Sequence, residues 1–250
     1  ARDARAEHVA RRIPGARFFD LDAVSDPSAD LPHMAPAPEA FAAAASRLGI
    51  GNHTRVVVYD GAGIFSAPRV WWMFRRFGHD AVAVLDGGLP KWIEEGRPTV
   101  SGPAPDPAPA RFAARPRPEL IRDLDGVRAA LEGAAEVVDA RSGPRFRGEA
   151  PEPRPGLRAG HMPGAKNVPF GDLLEAGSTL RSPADLRAVF ERAGVDLARP
   201  VVATCGSGVS AAVVLLALER LGTSPASLYD GSWAEWGRDP ARPVATGEAR

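Results

Sequence analysis

The chain has 250 residues, 44% of them hydrophobic, and its 31 basic residues are balanced by 31 acidic ones. That length fills one large core or two modest ones, and the absence of a net field argues against nucleic acid or an anionic membrane as partner, leaving small molecules and thiols. The single cysteine, Cys205, excludes an internal disulfide framework and a cysteine-based zinc cluster, and it suits a reducing compartment. No apolar run approaches the roughly 18 residues of a membrane span, and residues 1–20 lack the charged-then-apolar order of a signal peptide. The expected location is therefore the cytoplasm.

In chain order, Ile13-Pro14-Gly15-Ala16 comes first, followed by an amphipathic stretch over Pro38–Leu48. A β-branched run, Val56-Val57-Val58, enters the Gly-rich turn Asp60-Gly61-Ala62-Gly63 and a second amphipathic stretch, Arg69–Phe77. An Asp86-Gly87 turn then precedes Trp92 by six residues. Ser101–Pro118 holds six prolines without apolar periodicity and reads as a linker. Beyond it lie an amphipathic stretch over Ile121–Leu131 and the strand-like Glu136-Val137-Val138-Asp139, which runs into a polar turn at Ala140-Arg141. The earlier landmarks then return in the same order. Met162-Pro163-Gly164-Ala165 is followed by an amphipathic Pro183–Ala193. Val201–Thr204 enters Cys205-Gly206-Ser207-Gly208, the apolar Val209–Leu221 follows, and Asp230-Gly231 stands six residues before Trp236.

The matching landmarks are offset by 149, 145, 144 and 144 residues, the mark of a duplicated domain. Alternating apolar strands and amphipathic helices predict α/β domains with mostly parallel sheets. The expected division is 1–100, a linker over 101–118, and 119–250. The first half has no counterpart of Glu136–Asp139, so its domain is expected to lack its N-terminal strand.

Cys205 closes a strand and precedes a helix. Gly206 and Gly208 permit backbone angles closed to other residues, so that successive N–H groups, including those of Val209 and Ser210, can form an anion-binding nest. The helix N-terminus adds partial positive charge. Both effects favour an anionic sulfur, either a thiolate or a persulfide Cys–S–S⁻. The equivalent residue in the first half is Asp60, so a cysteine is not needed to build the turn; a purely structural role would leave Cys205 unexplained. Cysteine phosphatases share this architecture but require an arginine six residues after the cysteine, and Ala211 stands there.

These motifs resemble the tandem rhodanese family over essentially the whole chain. The resemblance implies two rhodanese-like domains, each a mostly parallel sheet flanked by helices, with sulfur transfer centred on Cys205 and no metal or organic cofactor. The loop Cys205-Gly206-Ser207-Gly208-Val209-Ser210-Ala211 is similar to that of members using 3-mercaptopyruvate. Members using thiosulfate carry basic residues directly after the cysteine, which suits a dianion. The match extends over Asp139-Ala140-Arg141, Gly143–Gly148, Pro151-Glu152-Pro153-Arg154 and Gly160–Ala165. It implies that Arg145 and Arg154 bind the donor's carboxylate and carbonyl, and that Asp22 and His33 face the cleft between the halves as further catalytic groups. Ser207 is the nearest hydroxyl for proton relay. A thioredoxin-type protein, a small thiol or, in an assay, cyanide is the expected sulfur acceptor, with no nucleic acid or membrane partner. The rival expectations are a thiosulfate donor and a non-enzymatic persulfide carrier.

Overall fold

The computed structural model describes residues 3–176, 178–223 and 225–249. The chain divides into two compact units, one formed by Ala1–Ser28, Ala35–Arg117 and Ala176–Thr179, the other by Ala29–Met34, Pro118–Glu175 and Leu180–Arg250.

In the first unit β1 (Val56–Val58) pairs in parallel with β2 (Val82–Val84). Helix Ala67–Arg76 packs on both strands and helix Pro38–Arg47 meets it through Phe41 and Phe74; each has a proline in its first turn. Phe41 is the centre of an aromatic cluster, stacked 4.5 Å from Phe77 and meeting Phe74 and Phe112 edge-on at 5.1 and 5.6 Å. Phe112 belongs to the proline-rich stretch predicted as a linker. That stretch packs back onto the first unit: the N–H groups of Arg115 and Arg117 donate to the carbonyls of Phe77 and Arg76. Prolines remove donors and hold the segment extended, but its one aromatic side chain gains from burial, and that gain anchors the strap.

The second unit has a five-stranded sheet. Its strands are β3 (Ile121–Arg122), β4 (Glu136–Asp139), β5 (Lys166–Asn167), β6 (Val201–Thr204) and β7 (Ala226–Tyr229), in the order β3-β7-β6-β4-β5 with every pairing parallel. All four residues of β4 and of β6 are buried, as expected for central strands covered on both faces. Helices Pro183–Arg192 and Ala211–Leu221 match their predicted stretches to within two residues. The stretch Ile121–Leu131, read as one amphipathic segment, instead begins as strand β3 and becomes helical only at Leu124, where Asp123 caps the helix by accepting the Gly126 N–H. Pairing of Ile121 and Arg122 with Leu228 and Tyr229 outweighs their helical periodicity.

β4 lies between β5 and β6. Among the described residues the first unit has no strand in the equivalent place, as expected from the sequence. A cavity of about 720 Å³ runs along β1 instead, lined among others by Phe18, Phe19, Val56, Val58 and Phe74, and Val57 is 62% exposed.

Candidate active site

β6 ends at Thr204 and helix Ala211–Leu221 begins six residues after Cys205, so the loop between them is short and its ends are fixed by the core. The short helix Ser232–Trp236 clamps it from behind. The Cys205 N–H donates to Ser232 Oγ at 3.2 Å, the Cys205 carbonyl accepts the Trp233 N–H at 2.9 Å, and the Gly206 carbonyl accepts the Ala234 N–H at 3.0 Å. Ser232 holds a left-handed φ of 49° while its hydroxyl donates to the Tyr229 carbonyl. A non-glycine residue in that region costs about 1–3 kcal/mol, and the clamp is what sustains it. The Cys205 side chain is 2% exposed.

The two loop glycines serve different purposes. Gly208 has φ +76°, where glycine is favoured. Gly206 does not have a positive φ, so the conformational reason expected for it does not hold; its reason is space. A Cβ on Gly206 would stand 3.0 Å from Arg145 Nη2 and 3.8 Å from Arg154 Nη1. Two guanidinium groups thus close over the residue that follows the cysteine. Val209 is buried, and Ser210 leads into the helix without capping it through its side chain. Among the described residues, the N–H groups of Gly206, Ser207, Val209, Ser210 and Ala211 have no protein acceptor, leaving donors at the mouth of the helix.

Ser207 joins two of the predicted side chains. Its Oγ accepts from Arg154 Nη2 at 3.3 Å and lies 2.9 Å from His33 Nδ1. With the guanidinium donating, the remaining contact can carry a proton either way: from the hydroxyl to Nδ1 of an imidazole protonated on Nε2, or from Nδ1–H back to the oxygen. His33 has φ 60°, a second strained residue directed at the same loop. Asp22 belongs to the other compact unit, in the short helix Leu21–Val24, where its carbonyl accepts the Ser25 N–H.

Glu152, Asp139, Ser232 and Trp233 also build the site, though the sequence pointed to no site role for the first three and only to packing for Trp233. Arg141 is completely buried; it forks onto Asp139 with contacts of 2.6–3.1 Å, donates to the Gly160 carbonyl at 2.8 Å and lies over the Trp233 ring at 4.2 Å. Burial opposes its charge, but the carboxylates of Asp139 and Glu152 outweigh that and raise its pKa. Glu152 accepts from Arg141 Nη1 at 2.8 Å and from Arg145 Nε and Nη2 at 3.2 and 2.5 Å. An acidic residue between Arg147 and Arg154, in an arginine-rich run, was the available signal. A buried backbone clamp such as Ser232 leaves no pattern in a single sequence.

A thiol at a strand–helix turn, glycines at its shoulder and duplicated parallel α/β units define a sulfur-handling domain pair. The rhodanese-like domain model matches residues 1–95 and 123–239, and the chain belongs to the rhodanese family. Human 3-mercaptopyruvate sulfurtransferase is 49% identical over 238 residues, covering 94% of this chain and 80% of the human protein. A thiosulfate/3-mercaptopyruvate sulfurtransferase from Arabidopsis thaliana is 43% identical over 264 residues, covering 97% and 70%. The crystal structure of SseA from Escherichia coli, described as a 3-mercaptopyruvate sulfotransferase, superposes with a TM-score of 0.85 at 42% identity, covering 93% of this chain and 87% of that one.

Proposed function

We propose that this protein takes sulfur from 3-mercaptopyruvate onto Cys205 and passes it to a thiol acceptor, releasing pyruvate. The observation that carries this reading is the pair of guanidinium groups of Arg145 and Arg154 over Gly206, with no cation at positions 206 or 207. Planar guanidinium groups suit the carboxylate and carbonyl of an α-keto acid, and a small loop residue leaves room for one beside the thiol. The human and plant relatives act on this donor by name.

The Cys205 thiolate attacks the donor sulfur, forming an S–S bond. The C–S bond breaks and its electron pair moves onto the carbon next to the carbonyl, as the enolate of pyruvate. Ser207, held between Arg154 and His33, supplies the proton that turns the enolate into pyruvate and is reprotonated through His33. The outer sulfur is stabilised by the loop N–H groups and the helix N-terminus. An acceptor thiolate then attacks that sulfur and regenerates Cys205. A small thiol or a thioredoxin-type dithiol serves as acceptor, in a reducing compartment such as the cytoplasm that keeps Cys205 available.

The test is pyruvate release from 3-mercaptopyruvate in the presence of a dithiol, for wild type and Cys205→Ser. Activity surviving the substitution would overturn the proposal. A higher kcat/KM for thiosulfate than for mercaptopyruvate would reassign the donor, and persulfide uptake without pyruvate release would make the protein a carrier.

A further inference from the structure

Glu152, whose side chain is 1% exposed, holds Arg145 by Nε and Nη2, and that same Nη2 is the atom that stands over Gly206; the Arg145 side chain stays 24% exposed. Glu152 is itself fixed by Arg141, which Asp139 and the Gly160 carbonyl immobilise. Orientation is therefore handed from a fully buried pair, through one carboxylate, to the guanidinium nearest the loop glycine.

The same chain of contacts sets a charge. Asp139, Arg141, Arg145, Glu152 and Arg154 together leave one net positive charge around the loop. Mercaptopyruvate brings one carboxylate, whereas thiosulfate brings two negative charges. Beside a buried thiol and a carboxylate that is 1% exposed, a mismatch of one charge weighs more than in solution.

We propose that Glu152 is a positioning and specificity-determining residue: its carboxylate aims Arg145 at the donor and trims the cluster to a charge that favours a monoanionic donor over a dianionic one. This rests on Arg145 and Arg154 being the donor-binding pair. Glu152→Gln removes the charge and keeps the shape. KM for mercaptopyruvate should rise about fivefold or more, and the ratio of kcat/KM for thiosulfate to that for mercaptopyruvate should rise about tenfold, because the freed cation now attracts a dianion. Glu152→Asp keeps the charge but withdraws it by one methylene, so KM for mercaptopyruvate should rise while the donor ratio stays near that of wild type.

A residue that merely supported the fold would lower both donors by one factor and leave the ratio unmoved. That result in Glu152→Gln overturns the inference. If that variant does not fold, Glu152→Asp carries the test, and an unchanged KM there overturns it equally. Failure of the underlying donor assignment shows separately, as a preference for thiosulfate in the wild-type protein.

Discussion

The Asp60 loop of the first unit and the Cys205 loop of the second are two copies of one turn with opposite contents. In the first, the Asp60 carboxylate accepts the N–H of Ala62 at Oδ1 at 2.8 Å, and those of Phe65, Ser66 and Ala67 at Oδ2, each at 2.9 Å. In the second, the residue at that position ends in sulfur, and among the described residues the N–H groups of Gly206, Ser207, Val209, Ser210 and Ala211 have no protein acceptor. An Asp carboxylate oxygen and the outer sulfur of a cysteine persulfide both lie two bonds from Cβ. The first unit thus shows, with a carboxyl group of its own, the kind of acceptor this turn is built to hold.

The sharpest way to break the contrast is Cys205→Asp, which gives the second loop its own carboxylate. Pyruvate release should fall on the order of 10³-fold or more, as for loss of any nucleophile, while the circular dichroism spectrum is retained. A several-fold effect is expected from Gly206→Ala. The added Cβ meets Arg145 Nη2, which Glu152 prevents from yielding, so KM for the donor should rise about threefold to tenfold with little change in melting temperature.

Emptying the first loop is a test of stability instead. Asp60→Ala strips four N–H groups of their acceptor and should cost about 1–3 kcal/mol, seen as a lower melting temperature. Millimolar sulfate or iodide should restore part of it, and absence of anion rescue would deny that the turn is an anion cradle.

The smallest effect concerns pH. Burial lowers the pKa of His161, outweighing both its hydrogen bond to the Phe146 carbonyl and the Asp139 charge, and burial also lowers that of His8, with Arg12 and Arg5 adding to it. A histidine held neutral in the folded state is indifferent above the unfolded value of about 6.5. Below it the unfolded chain binds the proton more readily, so stability should decline as pH falls from about 7 toward 5. His161→Asn should flatten part of that decline in a series of thermal melts.

The duplication made most of this plan legible in the sequence: once Val56–Asp60 is set against Val201–Cys205, the strand, the turn and the difference between Asp60 and Cys205 follow from spacing alone. Helices with an N-terminal proline, such as Pro38–Arg47 and Pro183–Arg192, were readable for the same local reason. What stayed hidden depends on distant partners. Strand β3 exists because β7 offers it an edge, and Phe112 is buried because Phe41, Phe74 and His79 receive its ring. Gly206 was legible as a requirement but not for its reason, since the obstacle comes from Arg145 and Arg154, 61 and 52 positions away.

The open flank of β1 bears on how each half acquires its shape. A two-stranded parallel ribbon gives little cooperative support by itself, so the first unit is held mainly by the stacked rings around Phe41, whereas the second is organised by a continuous five-strand ladder. Amide protons of β1 should therefore exchange with deuterium well before those of β6, and the order in which the two copies resist exchange should follow the number of strands in their sheets.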